Sequence, residues 1–250
     1  MAGRLAGKVA IVTGGGSGFG EAIAERYIDE GACVLIADVN ETSGARVANR
    51  LGESAFFLPT DVARSTDVAA AVDKALEQFD RLDIVVNNAG VASPMVPIEK
   101  MEEDLFDRLF NVNVKSVYLF CRHAVEALRA NGGTIINTAS TSALKPRPLN
   151  AGYAASKAAV ITLTKALAVE LAKDRIRVNA LTPVASDTPL FRDFLGDEAE
   201  AMKAKVESAI PVGRLCLPSD MASCAVFLAS DEAHFLTGIS LPVDGGWTAS

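Results

Sequence analysis

The chain has 250 residues, half of them hydrophobic, and a formal net charge of −7. That balance speaks against general nucleic-acid binding, because a phosphate backbone needs a basic face. The first residues lack a basic-then-apolar signal and no 18-residue apolar run is free of charge or glycine, so neither secretion nor a membrane span is expected and the cytoplasm is the expected location. Cys33, Cys121, Cys216 and Cys224 show no paired metal spacing and read as reduced core residues, while His123 and His234 lie far apart, so no metal is expected. Strand and helix signals alternate along the whole length without repeat or linker, which predicts one α/β domain over residues 1–250.

In chain order, Val9 to Thr13 reads as a β-branched strand that runs into Gly14-Gly15-Gly16-Ser17-Gly18-Phe19-Gly20 and then a helix. Glycines there let main-chain N–H groups approach a ligand closely, and the helix aims its positive end at it, so Gly14, Ser17, Gly18, Phe19 and Gly20 are candidate pyrophosphate contacts. The next strand, 33–37, ends in Asp38, eighteen residues after Gly20. An acid at that distance accepts hydrogen bonds from an adenosine ribose and repels a 2′-phosphate. No Arg or Lys lies in the loop or from Asp38 to Thr42, so NAD is favoured over NADP.

Further strands are expected at 55–58, 83–87, 134–138, 177–181 and 239–242, with helix starts at Ser65-Thr66-Asp67 and Pro218-Ser219-Asp220. Seven strands suit a doubly wound Rossmann sheet in the order 3-2-1-4-5-6-7. Ser140 follows the fifth strand, and Tyr153 and Lys157 stand four apart on the next predicted helix, on one face. Of the three tyrosines only Tyr153 has this partner, since Tyr27 is followed by Gly31 and Tyr118 by Arg122. A phenol holds its proton to a pKa of about 10, and a nearby cation favours the phenolate, so the pair is read as a proton-transfer device.

Taken together, Thr13-Gly14-x-x-x-Gly18-x-Gly20, Asn87-Asn88-Ala89-Gly90, Asn113, Ser140 and Tyr153-x-x-x-Lys157 resemble the short-chain dehydrogenase/reductase family along nearly the whole chain. The resemblance implies that Tyr153 is the acid or base at the substrate oxygen, that Ser140 holds that oxygen, and that Lys157 binds the nicotinamide ribose and lowers the pKa of Tyr153. It also implies that the main-chain carbonyl of Asn113 holds a relay water, with Asn111 as the competing candidate. Asp61 with Val62 would meet the adenine, and Asn87, Asn88, Ala89 and Gly90 would line the adenosine side. Pro183, Ser186 and Thr188 would meet the nicotinamide end. At 183–188 the chain departs from the family's Pro-Gly pattern: Val184 stands for glycine and Ser186 for an aliphatic residue, which predicts strain at Val184 and a narrower substrate pocket.

The stretch 189–211 is similar to the family's substrate lid, with Phe191, Phe194 and Leu195 read either as substrate contacts or as the lid's own packing. For Lys145 and Arg147 the plain reading is a solvated loop, with a carboxylate contact as the alternative. Family members commonly form tetramers through the segments 104–130 and 153–172, so a homotetramer is expected. The function implied is NAD-dependent interconversion of a small secondary alcohol and its ketone. An NADPH-dependent 3-oxoacyl-carrier-protein reductase is the alternative, weakened by Asn131 and Asp174 where arginines often hold the carrier and modestly restored by Arg129 and Arg175. A non-catalytic dinucleotide-binding protein would be expected to have lost Tyr153 or Lys157, and both are present.

Overall fold

The computed structural model describes residues 3–188, 190, 191, 194 and 199–250. Seven strands, β1 (Val9–Thr13), β2 (Cys33–Asp38), β3 (Ala55–Pro59), β4 (Ile84–Asn87), β5 (Gly133–Thr138), β6 (Ile176–Pro183) and β7 (Ser240–Val243), pair in parallel in the order β3-β2-β1-β4-β5-β6-β7. Both the strands and their order agree with the sequence reading. β6 runs two residues past its expected end because Thr182 and Pro183 stay in register with Pro242 and Val243 of β7.

The helices are α1 (Gly18–Asp29), α2 (Glu41–Leu51), α3 (Ser65–Phe79), α4 (Glu103–Phe110), α5 (Ser116–Arg129), α6 (Ala151–Leu171), α7 (Ala199–Ala209) and α8 (Pro218–Ala229). Both anticipated helix starts are present. Ser65 is the first residue of α3, and Pro218 opens α8, where its missing N–H costs nothing; Asp220 accepts from Leu217 N at 2.8 Å to close that turn.

Helices on both faces of a parallel sheet explain why the central strands β1, β2, β4, β5 and β6 are buried at nearly every position. Ala10, Val12, Val34, Ile36, Ile84 and Val86 pack with Ile23 and Tyr27 of α1 and Met221 and Ala225 of α8. The alternate residues Ile11, Leu35, Val85, Ile135 and Val178 pack with Val68 and Val72 of α3, Phe120 of α5 and Val160 of α6. A buried polar chain then fixes α6 on the sheet. Asn87 Nδ2 donates to Asn137 Oδ1 (2.8 Å), Asn137 Nδ2 to Thr164 Oγ1 (2.9 Å), and Thr164 Oγ1 to the Val160 carbonyl (2.8 Å). Breaking one such buried link costs about 1–3 kcal/mol, so the chain holds α6, and with it Tyr153 and Lys157, in one position.

From β1 the chain moves outward through β2 to β3, then returns to the other side of β1 for β4. Neighbouring connections therefore diverge above the carboxyl ends of β1 and β4, leaving a crevice between them where open α/β sheets take their ligands.

Candidate active site

A cavity of about 870 Å³ fills that crevice. At one end, Gly14 (φ +63°) and Gly18 (φ +54°) take a backbone conformation that side chains rarely adopt. Ser17 precedes α1 without its side chain bonding any first-turn amide, so those N–H groups stay open to an anion. Gly14, Ser17, Gly18 and Phe19 line the cavity. Gly20 is buried beneath it: a Cβ there would lie 2.1 Å from the Gly14 carbonyl oxygen. Its role is to let helix and loop close on each other, and the anion cradle depends on that closeness.

Asp38 ends β2 and faces this loop. Its Oδ2 accepts from Gly16 N and its Oδ1 from Asn40 N, both at 2.9 Å, so the carboxylate ties β2 to the cradle and still lines the cavity. Asp61 and Val62 line the same end, with Asp61 Oδ1 fixed by Ala63 N at 3.0 Å. Ala89 and Gly90 also line the cavity, whereas the Asn87 side chain does not. As a strand residue it is directed at β5, where it carries the polar chain to Asn137. The polar side chain that reaches the cavity is Asn88, which donates to the Thr13 carbonyl at 2.9 Å. Open amides, a glycine cradle and an acid eighteen residues on fit a dinucleotide, which would be held with its pyrophosphate at 14–20, a ribose at Asp38 and the adenine beside Asp61.

At the other end Ser140, Tyr153 and Lys157 line the cavity together. Ser140 opens a short turn (Thr141–Ala143) and its Oγ accepts from Ser142 N at 3.1 Å, which fixes the hydroxyl beside the phenol. Lys157 donates to the main-chain carbonyl of Thr138 at 2.8 Å, and its nitrogen lies 5.9 Å from the Tyr153 ring centre.

Asn113 sits in a π-helical turn, Asn111–Lys115, between α4 and α5. Such turns loosen the main-chain ladder, and they recur at functional sites. Its side chain is buried: Oδ1 accepts from Val91 N (2.8 Å), and Nδ2 donates to the Val91 carbonyl (3.0 Å) and to Ser156 Oγ (3.0 Å). Ser156 in turn donates to the Tyr153 carbonyl at 2.8 Å. Asn113 thus braces the loop after β4 against the helix of Tyr153, while Asn111 lines the cavity.

Burial sets the electrostatics of the pair. It pushes the Tyr153 phenol up to about 12, with the Ser140 hydroxyl pulling weakly the other way, and it pushes Lys157 down to about 8. In the protein alone the ammonium does not bring the phenol toward neutrality, contrary to the expectation from spacing. Removal from water outweighs a cation turned toward Thr138.

Pro183, Val184, Ser186 and Thr188 all line the cavity. Val184 needs no positive φ, since the only non-glycine residues that adopt one are Asp80, Leu149 and Arg175 among those described. The expected strain is therefore absent, and its side chain packs in the core with Phe191, Val206 and Ile210. Ser186 is buried, and its hydroxyl has no hydrogen-bond partner among the described residues. Thr188 donates through both N and Oγ1 to the Ser186 carbonyl, at 2.8 and 3.4 Å. Of the lid aromatics, Phe191 is core, while Phe194 stands edge-on to Tyr153 with centroids 4.8 Å apart. Leu195 lies outside the described residues. Beyond the residues expected from sequence, the structure adds Thr138, whose carbonyl holds Lys157, and Ser156, which links Asn113 to Tyr153. Their signal was their place beside the motifs, since each lies within four residues of one.

Among the described residues no group of three or more His, Cys, Asp or Glu side chains forms a metal-ligand cluster, and no helix is long and apolar enough to cross a membrane. All four cysteines are free.

Residues 14–248 match the family described as enoyl-(acyl carrier protein) reductase. A 4-formylbenzenesulfonate dehydrogenase of Comamonas testosteroni is 46% identical over 244 residues, covering 96% of this chain and 97% of the relative. A 3β-hydroxysteroid dehydrogenase of Eggerthella lenta is 38% identical, covering 98% and 96%. The crystal structure of a 3-ketoacyl-(acyl-carrier-protein) reductase from Brucella melitensis, complexed with NADH, superposes with a TM-score of 0.93 at 44% identity, covering 98% of this chain and 99% of that one. With the glycine cradle, the Tyr153–Lys157 pair and the sheet order all in place, this chain belongs to the short-chain dehydrogenase/reductase family of oxidoreductases.

Proposed function

We propose that the protein interconverts a secondary alcohol and its ketone with NAD(H). The observation that carries this is the convergence of Ser140, Tyr153 and Lys157 on the cavity that begins at the glycine cradle. The bound dinucleotide supplies or accepts the hydride. Tyr153 gives its proton to the carbonyl oxygen in reduction and takes the alcohol proton in oxidation. Ser140 donates a hydrogen bond to the same oxygen, where negative charge develops. Lys157, released from the Thr138 carbonyl to a ribose hydroxyl, would stay near the phenol and favour its ionised form. Asn113 holds the loop after β4 against α6, and its main-chain carbonyl is the proposed water site. Gly14, Ser17, Gly18, Phe19, Asp38, Asp61, Val62, Asn88, Ala89, Gly90, Pro183, Ser186 and Thr188 form the cofactor surface.

NAD preference is supported by Asp38 and by the NADH held by the Brucella relative. The dehydrogenase relatives act, by their names, on a formylbenzenesulfonate and on a hydroxysteroid, which supports ring-bearing substrates. The carrier-reductase reading draws on the Brucella relative's name. Against it, Arg129 is already neutralised by Asp174 (2.9 Å) and Glu126 (3.0 Å), which leaves it poorly placed to hold an acidic carrier. A homotetramer is the assembly we propose: Phe106, Tyr118 and Val169 are exposed apolar residues within the two segments that family members use. Four free cysteines support a reducing cytoplasm. The test is a screen of secondary alcohols, ring ketones and a β-ketoacyl thioester with NADH and NADPH. Turnover of ring ketones with NADH is expected; preference for NADPH and the thioester would overturn the reading.

A further inference from the structure

Arg147 lies on the loop between Ser140 and α6, six residues before Tyr153, and lines the same cavity. Its guanidinium carbon is 4.3 Å from the centre of the Trp247 ring, and Lys145 Nζ is 5.0 Å from that centre. The two cations are used differently. Lys145 donates to the main-chain carbonyls of Trp247 (3.3 Å) and Ser250, fastening the segment that carries the indole. Arg147 makes no ion pair and no side-chain hydrogen bond to any described residue, so its contact with the indole is what positions it.

Many of the other arginines are instead committed to carboxylates. Arg46, Arg50, Arg81, Arg129 and Arg214 each pair with a carboxylate within 3.1 Å. Arg108, which also lines the cavity, makes no ion pair to a described residue, but Asp104 and Asp107 stand within one turn of it on α4 and line the same cavity. A guanidinium held against an aromatic ring loses part of its hydration there and keeps its forked N–H donors free for a planar or tetrahedral oxyanion. In a chain of net charge −7, an uncompensated cation inside the reaction cavity is selective for negative charge.

We propose that Arg147, shelved on Trp247, binds an anionic group, carboxylate or sulfonate, carried by the substrate away from the carbon that reacts at Tyr153. This deepens the alcohol–ketone reading and rests on it for the reacting end only. A neutral ring ketone leaves Arg147 solvated, whereas an anionic one gains charge-assisted hydrogen bonds that fix which end faces Tyr153.

The test compares acetophenone with 4-acetylbenzoate, using NADH, in the wild type, Arg147→Gln and Arg147→Lys. The wild type should prefer 4-acetylbenzoate, and in Arg147→Gln the ratio of kcat/KM values should fall roughly tenfold, through KM, with partial recovery in Arg147→Lys. Trp247 is the chain's one tryptophan, so its emission gives a second readout: titration with benzoate should shift it in the wild type and not in Arg147→Gln. An unchanged ratio together with an identical benzoate titration in both proteins overturns the proposal. If neither ketone is reduced but benzoate still shifts Trp247 in an Arg147-dependent way, the anion site stands and the reaction assigned to the cavity falls.

Discussion

Lys157 gives its ammonium to the main-chain carbonyl of Thr138 at 2.8 Å, at the carboxyl end of β5, rather than to the phenol of Tyr153 one helical turn away. The lysine is thus held by the sheet, in reach of the tyrosine ring, at a depth where its charge is costly.

That cost is measurable. Burial holds Lys157 down to about 8 against an ordinary 10.5, so between those pH values the unfolded chain binds a proton that the folded chain does not. Stability therefore rises with pH across this window, and below about pH 8 the full penalty is present because both states are protonated. Relative to Lys157→Met, the wild type should gain about 2–3 kcal/mol between pH 7 and pH 10 in urea unfolding, the difference cancelling the titration of Tyr153 and the cysteines. A pH-independent difference would show that Lys157 is not desolvated.

Asp38 holds two main-chain amides and lines the cavity. Asp38→Ala should raise the NADPH-to-NADH ratio of kcat/KM at least tenfold by removing the charge that repels a 2′-phosphate. It should also cost about 1–3 kcal/mol of stability through the two freed amides. Lost stability with an unaltered cofactor ratio would leave Asp38 only its role in tying the loop to β2.

Gly20 tests the cradle without touching its surface. Alanine there places a methyl 2.1 Å from the Gly14 oxygen and 2.7 Å from Asn88 Nδ2, and neither main chain nor a braced amide yields cheaply. Gly20→Ala should lose about 1–3 kcal/mol of stability and weaken NADH binding, measured by thermal unfolding and by nucleotide fluorescence. Unchanged Tm and Kd would mean that helix and loop do not meet this closely.

The sheet was legible from sequence because its central strands β1, β2, β4, β5 and β6 are buried on both faces, and most of them open or close on glycine, aspartate or asparagine. The Tyr153–Lys157 pair was legible because helical spacing puts the two on one face. Asn87 and Asn88 were harder to separate: the strand ends between them, and only pairing with β5 shows that Asn87 belongs to the interior. At Val184 the expected strain does not arise, since its main chain adopts no positive φ and its side chain joins the core. The Arg147–Trp247 shelf joins residues a hundred positions apart, which no local pattern reports. The raised phenol was also hidden, because spacing shows the neighbouring charge but not the loss of water around it.

In the proposed reaction the Tyr153 hydroxyl exchanges a proton with the substrate oxygen beside Ser140. Its most direct test is Tyr153→Phe, assayed for ring-ketone reduction with NADH alongside NADH binding. Removing one oxygen should lower kcat by roughly 10²–10⁴-fold while leaving the NADH Kd within a few-fold of the wild type. Turnover close to the wild type would rule out the Tyr153 hydroxyl as the proton-transfer group.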